Sequence, residues 1–423
     1  MLKGKLPFKT GKTAAILVIL FVAAFLVYWE TGTGQPTPYN YYVRLSDAFL
    51  HGRLYLLDNQ NPPEHFIKWL NELIPNPHGT GWYVVYPPLP AFLMTPFVAV
   101  WGAKLNQTVF GLFFAAATVP LVYLVARSVS KKPAEIACVT PKRSTYVWYA
   151  ALFGFGTLFW YLASLGSVWL IAQVISAFFL FLALYEAFNK NRPWLIGLLV
   201  GASYWCRLPT ILGIFFFAAL AVSQQENQKW TGKFKSALPK LAQMAAGAGV
   251  FVVFDFIYNY VRFGTVFDVG YWMIPGVLNE PWFSHGHFSL LYIADNLRPF
   301  LTGLPQLTST APYILVPMAG MAIWFTTPAF IFALKSKLRD PVTWWSWLAV
   351  FCIAAVIFTN AATGWGFGYR YAMDFYPFLF VLTVRGMGTN LKWYHKLLII
   401  LGIVVNAWGV IAINKFPSVP VLV

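Results

Sequence analysis

The residues best placed to do chemistry lie on one short stretch near the N-terminus. Arg44, Asp47 and His51 are spaced three and four apart, so a helix carries all three on one face. A carboxylate such as Asp47, held beside aromatic residues, takes a proton from an incoming hydroxyl as general base. The same spacing equally fits an intrahelical ion pair between Arg44 and Asp47, worth a few tenths of a kcal/mol.

Farther along, Asp255 interrupts an apolar run that ends Tyr258-Asn259-Tyr260. An ionisable residue there is either functional or a structural partner inside a bundle. Arg262 and Arg370 stand at the ends of apolar runs, where a guanidinium binds phosphate bidentately or snorkels to an interface. Arg207 breaks an apolar pair of runs at Cys206-Arg207-Leu208-Pro209, where it caps a turn or reaches a cavity. His285 and His287, with Asp268 or Glu280, form only a weak metal-ligand pattern, so no metal is assigned, although a divalent ion is compatible with it. Glu64, His65, Lys68 and Glu72 repeat at helical spacing and read as a solvated face. There is no P-loop, no GxGxxG after a strand, no GxSxG and no HExxH, which removes support for nucleotide-driven and hydrolase chemistry.

The element that must carry Asp47 is a helix over residues 40–51, preceded by Pro36 and Pro38 and stopped by Gly52. Val43, Leu50 and Leu54 mark its apolar side, as in a helix lying along a membrane surface. The membrane itself follows from composition. With 59% hydrophobic and 10% charged residues, the chain cannot cover a water-facing surface. Its 39 Phe, 22 Tyr and 19 Trp suit lipid interfaces. The formal charge of +16 falls in short blocks between apolar runs, without the context of a nucleic-acid binder. Cys138, Cys206 and Cys352 are too far apart in sequence to suggest a disulfide framework or a zinc site.

Windows able to cross the hydrocarbon as helix centre on 14–29, 107–126, 146–163, 168–187, 194–206, 209–223, 241–260, 312–334, 342–359, 372–386 and 395–413. The expectation is therefore an all-α polytopic bundle of about eleven spans forming a single domain over residues 1–423. Residues 89–101 are too short to span, and leaving them out places most of the 30 basic residues on one side. By the positive-inside rule that side is the cytoplasm. The first helix is then a retained span with a cytoplasmic N-terminus, and residues 30–106 and 261–311 become long extracytoplasmic loops lining one cavity.

Several segments together resemble the GT-C superfamily of integral membrane glycosyltransferases, which use polyprenyl- or dolichyl-phosphate sugars. They are Tyr-Val-Arg-Leu-Ser-Asp47-Ala-Phe-Leu-His-Gly-Arg-Leu-Tyr-Leu, Tyr86-Pro87-Pro88-Leu-Pro, Trp205-Cys-Arg207-Leu-Pro209, Tyr258-Asn-Tyr-Val-Arg262-Phe-Gly264 and Gly368-Tyr-Arg370-Tyr371. The resemblance implies membrane-parallel helices in the first outer loop and Asp47 as catalytic base. It implies sugar transfer from a polyprenyl-phosphate donor in the cell membrane to a hydroxyl of a glycan, lipid or protein acceptor on the extracytoplasmic face. Arg262, Arg370, Arg207 and Arg298 are the expected ligands of the donor phosphate, because a departing phosphate needs preorganised cations. Arg44, His51, Tyr86, Asp255 and Tyr371 are the expected cavity residues. Tyr86 stands where some relatives have Lys, which removes one phosphate ligand. The rival reading is a secondary transporter or lipid flippase, also polytopic, and a non-catalytic scaffold ranks third.

Overall fold

The computed structural model describes residues 10–57, 72–130, 142–225, 229–309, 313–317, 319–361 and 366–415. Glu64, His65, Lys68, Lys131, Lys132 and Cys138 lie outside them.

In chain order the elements are α1 (Thr10–Thr31), α2 (Tyr41–Leu50), β1 (Leu73–Pro75), β2 (Trp82–Val84), α3 (Leu89–Trp101), α4 (Gln107–Val129), α5 (Arg143–Phe155), α6 (Phe159–Ser164), α7 (Val168–Phe188) and α8 (Pro193–Tyr204). There follow α9 (Ile214–Ser223), α10 (Trp230–Phe263), α11 (Gly270–Met273), α12 (Tyr292–Thr302), β3 (Gln306–Leu307), β4 (Ile314–Leu315), α13 (Ile323–Thr326), α14 (Pro341–Phe358), α15 (Tyr376–Met387) and α16 (Trp393–Lys415). Short 3-10 turns join several of them, notably Leu208–Gly213, Pro328–Lys335 and Arg370–Asp374. The protein is a helical membrane bundle.

Among the described residues six helices, α1, α4, α7, α10, α14 and α16, are long and apolar enough to cross a bilayer. The other expected spans are shorter or broken. The 146–163 window divides at Gly156 into α5 and α6, and 194–206 and 209–223 become α8, a 3-10 turn and α9. The 312–334 window is not one helix. It contains β4, α13 and the 3-10 turn Pro328–Lys335, because Pro317 and Pro328 remove backbone donors from any continuous helical ladder. Helix α3 has 13 residues, about 20 Å at helical rise, which falls short of the hydrocarbon thickness.

Helices α1 and α16 end at the same face of the bundle. Asn414 at the end of α16 donates to the Thr31 carbonyl at the end of α1 (3.0 Å), and the Lys415 ammonium meets the Gly32 carbonyl at 2.9 Å. Asn414 therefore satisfies the last carbonyl of α1 and Lys415 the carbonyl just past it. At the other end, Thr145 at the start of α5 donates to the Thr389 carbonyl just after α15. Close approach is set by small residues. Gly197 and Gly201 on α8 face Gly247 and Ala248 on α10 so tightly that a Cβ on Gly197 would collide with the Met244 carbonyl.

The described residues of the 30–106 segment contribute to a second, smaller core at one end of the bundle, built on Tyr39, Tyr41, Tyr42, Ile74, Tyr83 and Met94. Gln107, 1% exposed at the first turn of α4, holds this unit in place. Its side-chain oxygen accepts from the Tyr42 and Val43 amides at 3.1 and 3.3 Å, and its amide donates to the carbonyls of Tyr39 and Gly166. With no Asn40 side-chain cap, the Tyr42 amide at the start of α2 is thus satisfied from another helix, and the Val43 amide is shared between Gln107 and the Asn40 carbonyl. The Ser46 hydroxyl bridges the Tyr42 and Ala91 carbonyls, tying α2 to α3. As expected from sequence, α2 ends before Gly52, whose φ of +69° suits a residue without a Cβ.

Candidate functional site

The β1–β2 ribbon pairs antiparallel, with Leu73 opposite Val84. That register brings Glu72, the residue before β1, beside Val85 and Tyr86, the residues after β2. Around this point the structure forms a cavity of about 400 Å³, a size suited to a small ligand. Its walls come from one end of many elements. Tyr86 and Pro87 follow β2, and Trp169 stands at the start of α7. Arg207 and Pro209 follow α8, while Asp268, Tyr271 and Trp272 follow α10. His287, the end of α14 with Asn360, and the Arg370–Tyr371 turn complete the lining. Helices α7, α8, α10 and α14 each give their other end to a basic segment, with Lys190 and Arg192, Lys229 and Lys233, and Lys337 and Arg339. The charge asymmetry read from sequence therefore separates the cavity end from the opposite end.

Two guanidiniums share the ring of Tyr371, each 5.2 Å from its centroid. Arg207 is neutralised by Asp374, which is buried, through contacts of 2.9, 3.2 and 3.3 Å. Arg370 has no carboxylate within ion-pair distance among the described residues, and its Nε is buried without a hydrogen-bond partner. Gln173 on α7 fixes its backbone by donating to the Arg370 carbonyl at 3.0 Å. Gly368, at φ +69°, turns the chain into this position with Leu158 and Thr326 already packed where a side chain would go. An unpaired cation facing a cavity with aromatic walls attracts an anionic group.

Glu72 departs from the solvated face expected for it. Its Oε2 accepts from the Trp169 indole (2.8 Å) and the Tyr271 hydroxyl (3.0 Å), both from cavity-wall residues. Burial pushes its carboxyl up to about 7, although those two donors and the nearby Arg370 charge pull the other way. Its backbone holds φ +48°, a strained setting for a residue with a side chain. Asp268, whose Oδ1 accepts from the Gly270 amide, is also raised by burial. His287 stacks on Phe283 and packs against Trp272, and burial pushes it down to about 4, so the ring is neutral at physiological pH. Among the described residues no three His, Cys, Asp or Glu side chains gather as a metal-holding group, so His285, His287, Asp268 and Glu280 do not converge.

Of the residues expected from sequence, Tyr86, Arg207, Arg370 and Tyr371 meet at the cavity. Arg262 does not line it. It is 2% exposed and donates to the Val84 carbonyl, the Tyr258 carbonyl and Asn259 Oδ1 while lying over the Tyr258 ring at 3.7 Å. Its charge holds α10 to β2 and leaves no fork for a phosphate. Asp255 is likewise enclosed, accepting from Tyr204, Trp205 and Asn259. Arg298 is exposed on α12, away from the cavity lining. Asp47 sits outside the lining too. Its carboxylate is 43% exposed, 3.6 Å from His51 and 3.9 Å from Arg53. The Arg44 guanidinium lies over the Tyr41 ring at 5.7 Å. Sequence reasoning missed Glu72, Trp169, Tyr271 and Asp374, since only tertiary packing brings them together. Comparison with known family models, curated proteins and solved structures found no match.

Proposed function

We propose that this protein is a membrane glycosyltransferase of the GT-C kind, moving a sugar from a polyprenyl-phosphate donor to an acceptor hydroxyl. The observation that carries this reading is Arg370, a cation without a carboxylate partner among the described residues, beside Arg207 and Tyr371 in a cavity walled by aromatic rings. Guanidiniums hold phosphate, and tyrosine and tryptophan faces suit a sugar ring whose edge is polar and whose face is apolar.

In the proposed topology the N-terminus and the basic loops are cytoplasmic, and the cavity opens at the extracytoplasmic side of the cell membrane. In this reading α5 continued by α6, the 208–213 turn continued by α9, α13 with the 328–335 turn, and the short helices α8 and α15 complete about eleven crossings alongside the six long helices. The equally short α3 is left out, because counting it would put the basic residues between Arg127 and Arg143 on the outer side. The donor phosphate sits at Arg370 with Arg207. This reading takes Asp47, which lies on α2 outside the cavity lining, beside His51 and Arg53, as the base. It requires the acceptor hydroxyl at the donor's anomeric carbon to come within hydrogen-bond reach of that carboxylate, and comparison of Asp47→Asn with wild type decides it. The acceptor oxygen attacks the anomeric carbon, and the bond to the phosphate oxygen breaks with its electron pair leaving on the phosphate.

The test is transfer from polyprenyl-phosphate sugars by purified, reconstituted protein, with Asp47→Asn and Arg370→Ala compared with wild type. Transfer that disappears in both variants, with folding intact, supports the reading. Undiminished transfer by Asp47→Asn removes that residue as base. Absence of transfer, together with flux of an anionic solute across vesicles, favours the transporter alternative.

A further inference from the structure

The cavity is short of one positive charge for the reaction proposed above. A lipid phosphate joined to a sugar carries one negative charge, and the phosphate released from the sugar carries a second, which needs a cation or a proton. Arg207 is already balanced by Asp374, so among the described lining residues Arg370 is the cation left to match the phosphate. His287 is neutral in its aromatic box and supplies no second charge.

The residue able to cover the deficit is Glu72. Its carboxyl lies behind the cavity wall, hydrogen-bonded to Trp169 and Tyr271, and it feels the Arg370 charge. We propose that Tyr271 protonates the departing phosphate seated at Arg370 and is re-protonated by Glu72, which makes Tyr271 the proton donor and Glu72 the residue that positions and supplies it.

The proposal deepens the glycosyltransferase reading and rests on it. The step balances as follows. The acceptor oxygen forms a bond to the anomeric carbon, the carbon–oxygen bond to the phosphate breaks with its electron pair on the phosphate, and the acceptor proton passes to Asp47. The Tyr271 hydroxyl donates to the Glu72 carboxylate as it stands. When Glu72 is the acid that hydrogen bond reverses, the carboxyl donating to the Tyr271 oxygen and the Tyr271 hydroxyl turning to the phosphate. The Tyr271 proton then passes to the phosphate oxygen while the Glu72 carboxyl proton replaces it. Glu72 ends as carboxylate, Asp47 as carboxylic acid, and both then exchange with water.

The surroundings suit this role from every side. Trp169 approaches from α7, Tyr271 from α11 and Arg370 from the turn before α15, while the Tyr39 and Tyr41 phenols, raised chiefly by burial, lie close enough for Glu72 to add to that rise. Burial lifts the Glu72 carboxyl to about 7, so a protonated fraction exists near neutral pH. The Tyr271 phenol is pushed well above its ordinary value, chiefly by burial, so the proton stays in place until the phosphate departs.

Two measurements on full-length protein in detergent test the proposal. The first is the rate of sugar transfer against pH for wild type, Glu72→Gln, Glu72→Asp and Tyr271→Phe. Wild type should slow as pH rises through about 7, because the protonated carboxyl is the active form. Glu72→Gln and Tyr271→Phe should each lose about a hundredfold in rate and lose that limb, and Glu72→Asp should retain part of both. The second is calorimetry of a short monoalkyl phosphate binding at about pH 8 in buffers of different ionisation heat, which reads proton uptake. Wild type and Tyr271→Phe should take up more protons than Glu72→Gln, because an anion at Arg370 holds the proton on Glu72.

Equal uptake by wild type and Glu72→Gln overturns the proposal, as do wild-type rates and pH profiles in Glu72→Gln and Tyr271→Phe. A wild type that moves no sugar but shows Glu72-dependent uptake counts against the proposed function alone.

Discussion

Arg207 and Asp374, 167 residues apart in sequence, form a two-pronged ion pair in which Nη2 meets Oδ2 at 2.9 Å and Nε meets Oδ1 at 3.2 Å. The pair ties the turn after α8 to the turn before α15, the two segments that frame the cavity. Removing one partner leaves a buried charge alone, which costs more than the pair contributes. Arg207→Ala should therefore lower stability by about 3–5 kcal/mol, read as thermal unfolding in detergent. The Arg207→Leu, Asp374→Leu double variant should recover most of that loss. Equal destabilisation by the single and double variants would contradict a buried pair.

Arg370 and Arg262 should separate cleanly. Arg370→Ala removes a cation without a carboxylate partner, so binding of a monoalkyl phosphate should weaken about tenfold or more with little change in stability. Arg262→Ala leaves the Val84 carbonyl and Asn259 without their donor, at about 1–3 kcal/mol for each buried group. Its effect should appear in thermal unfolding, with phosphate affinity held in the protein that remains folded.

Glu72 makes stability depend on pH with a defined sign. Its folded carboxyl titrates near 7, against 4.5 for an ordinary glutamate. Between those values the folded state holds more protons than the unfolded chain, so stability falls as pH rises across that window and then levels off. The full change is on the order of 3 kcal/mol. Unfolding measured from about pH 4.5 to about pH 8 should show this slope in wild type and a flatter one in Glu72→Gln.

Gly197→Ala places a methyl group against the Met244 carbonyl where α8 meets α10. Overpacking of this kind costs about 1–3 kcal/mol. Gly249→Ala, on the same α10 but with nothing near its Cβ position, should be neutral or slightly stabilising. Comparing the two thermal midpoints checks that the crossing is set by small residues.

The sequence by itself determined the membrane environment, because so few charges cannot face water over a chain of this length. It also determined α2, through its prolines, its three-and-four spacing and the stop at Gly52, and the separation of basic segments from the end where Arg207 and Arg370 lie. Local patterns carry that information, since composition, periodicity and capping act over a few turns of chain. What only the tertiary structure decided is which charges are spent and which are free. Arg262 and Arg370 look alike in sequence, both in a Tyr-rich motif at the end of an apolar run, yet one is saturated by Val84 and Asn259 and the other faces the cavity without a carboxylate partner. Glu72 reads as one more polar residue at helical spacing until the ribbon folds it between Trp169 and Tyr271. The physical reason is that the state of a buried ionisable group is set by partners brought from distant parts of the chain, and no local spacing records them.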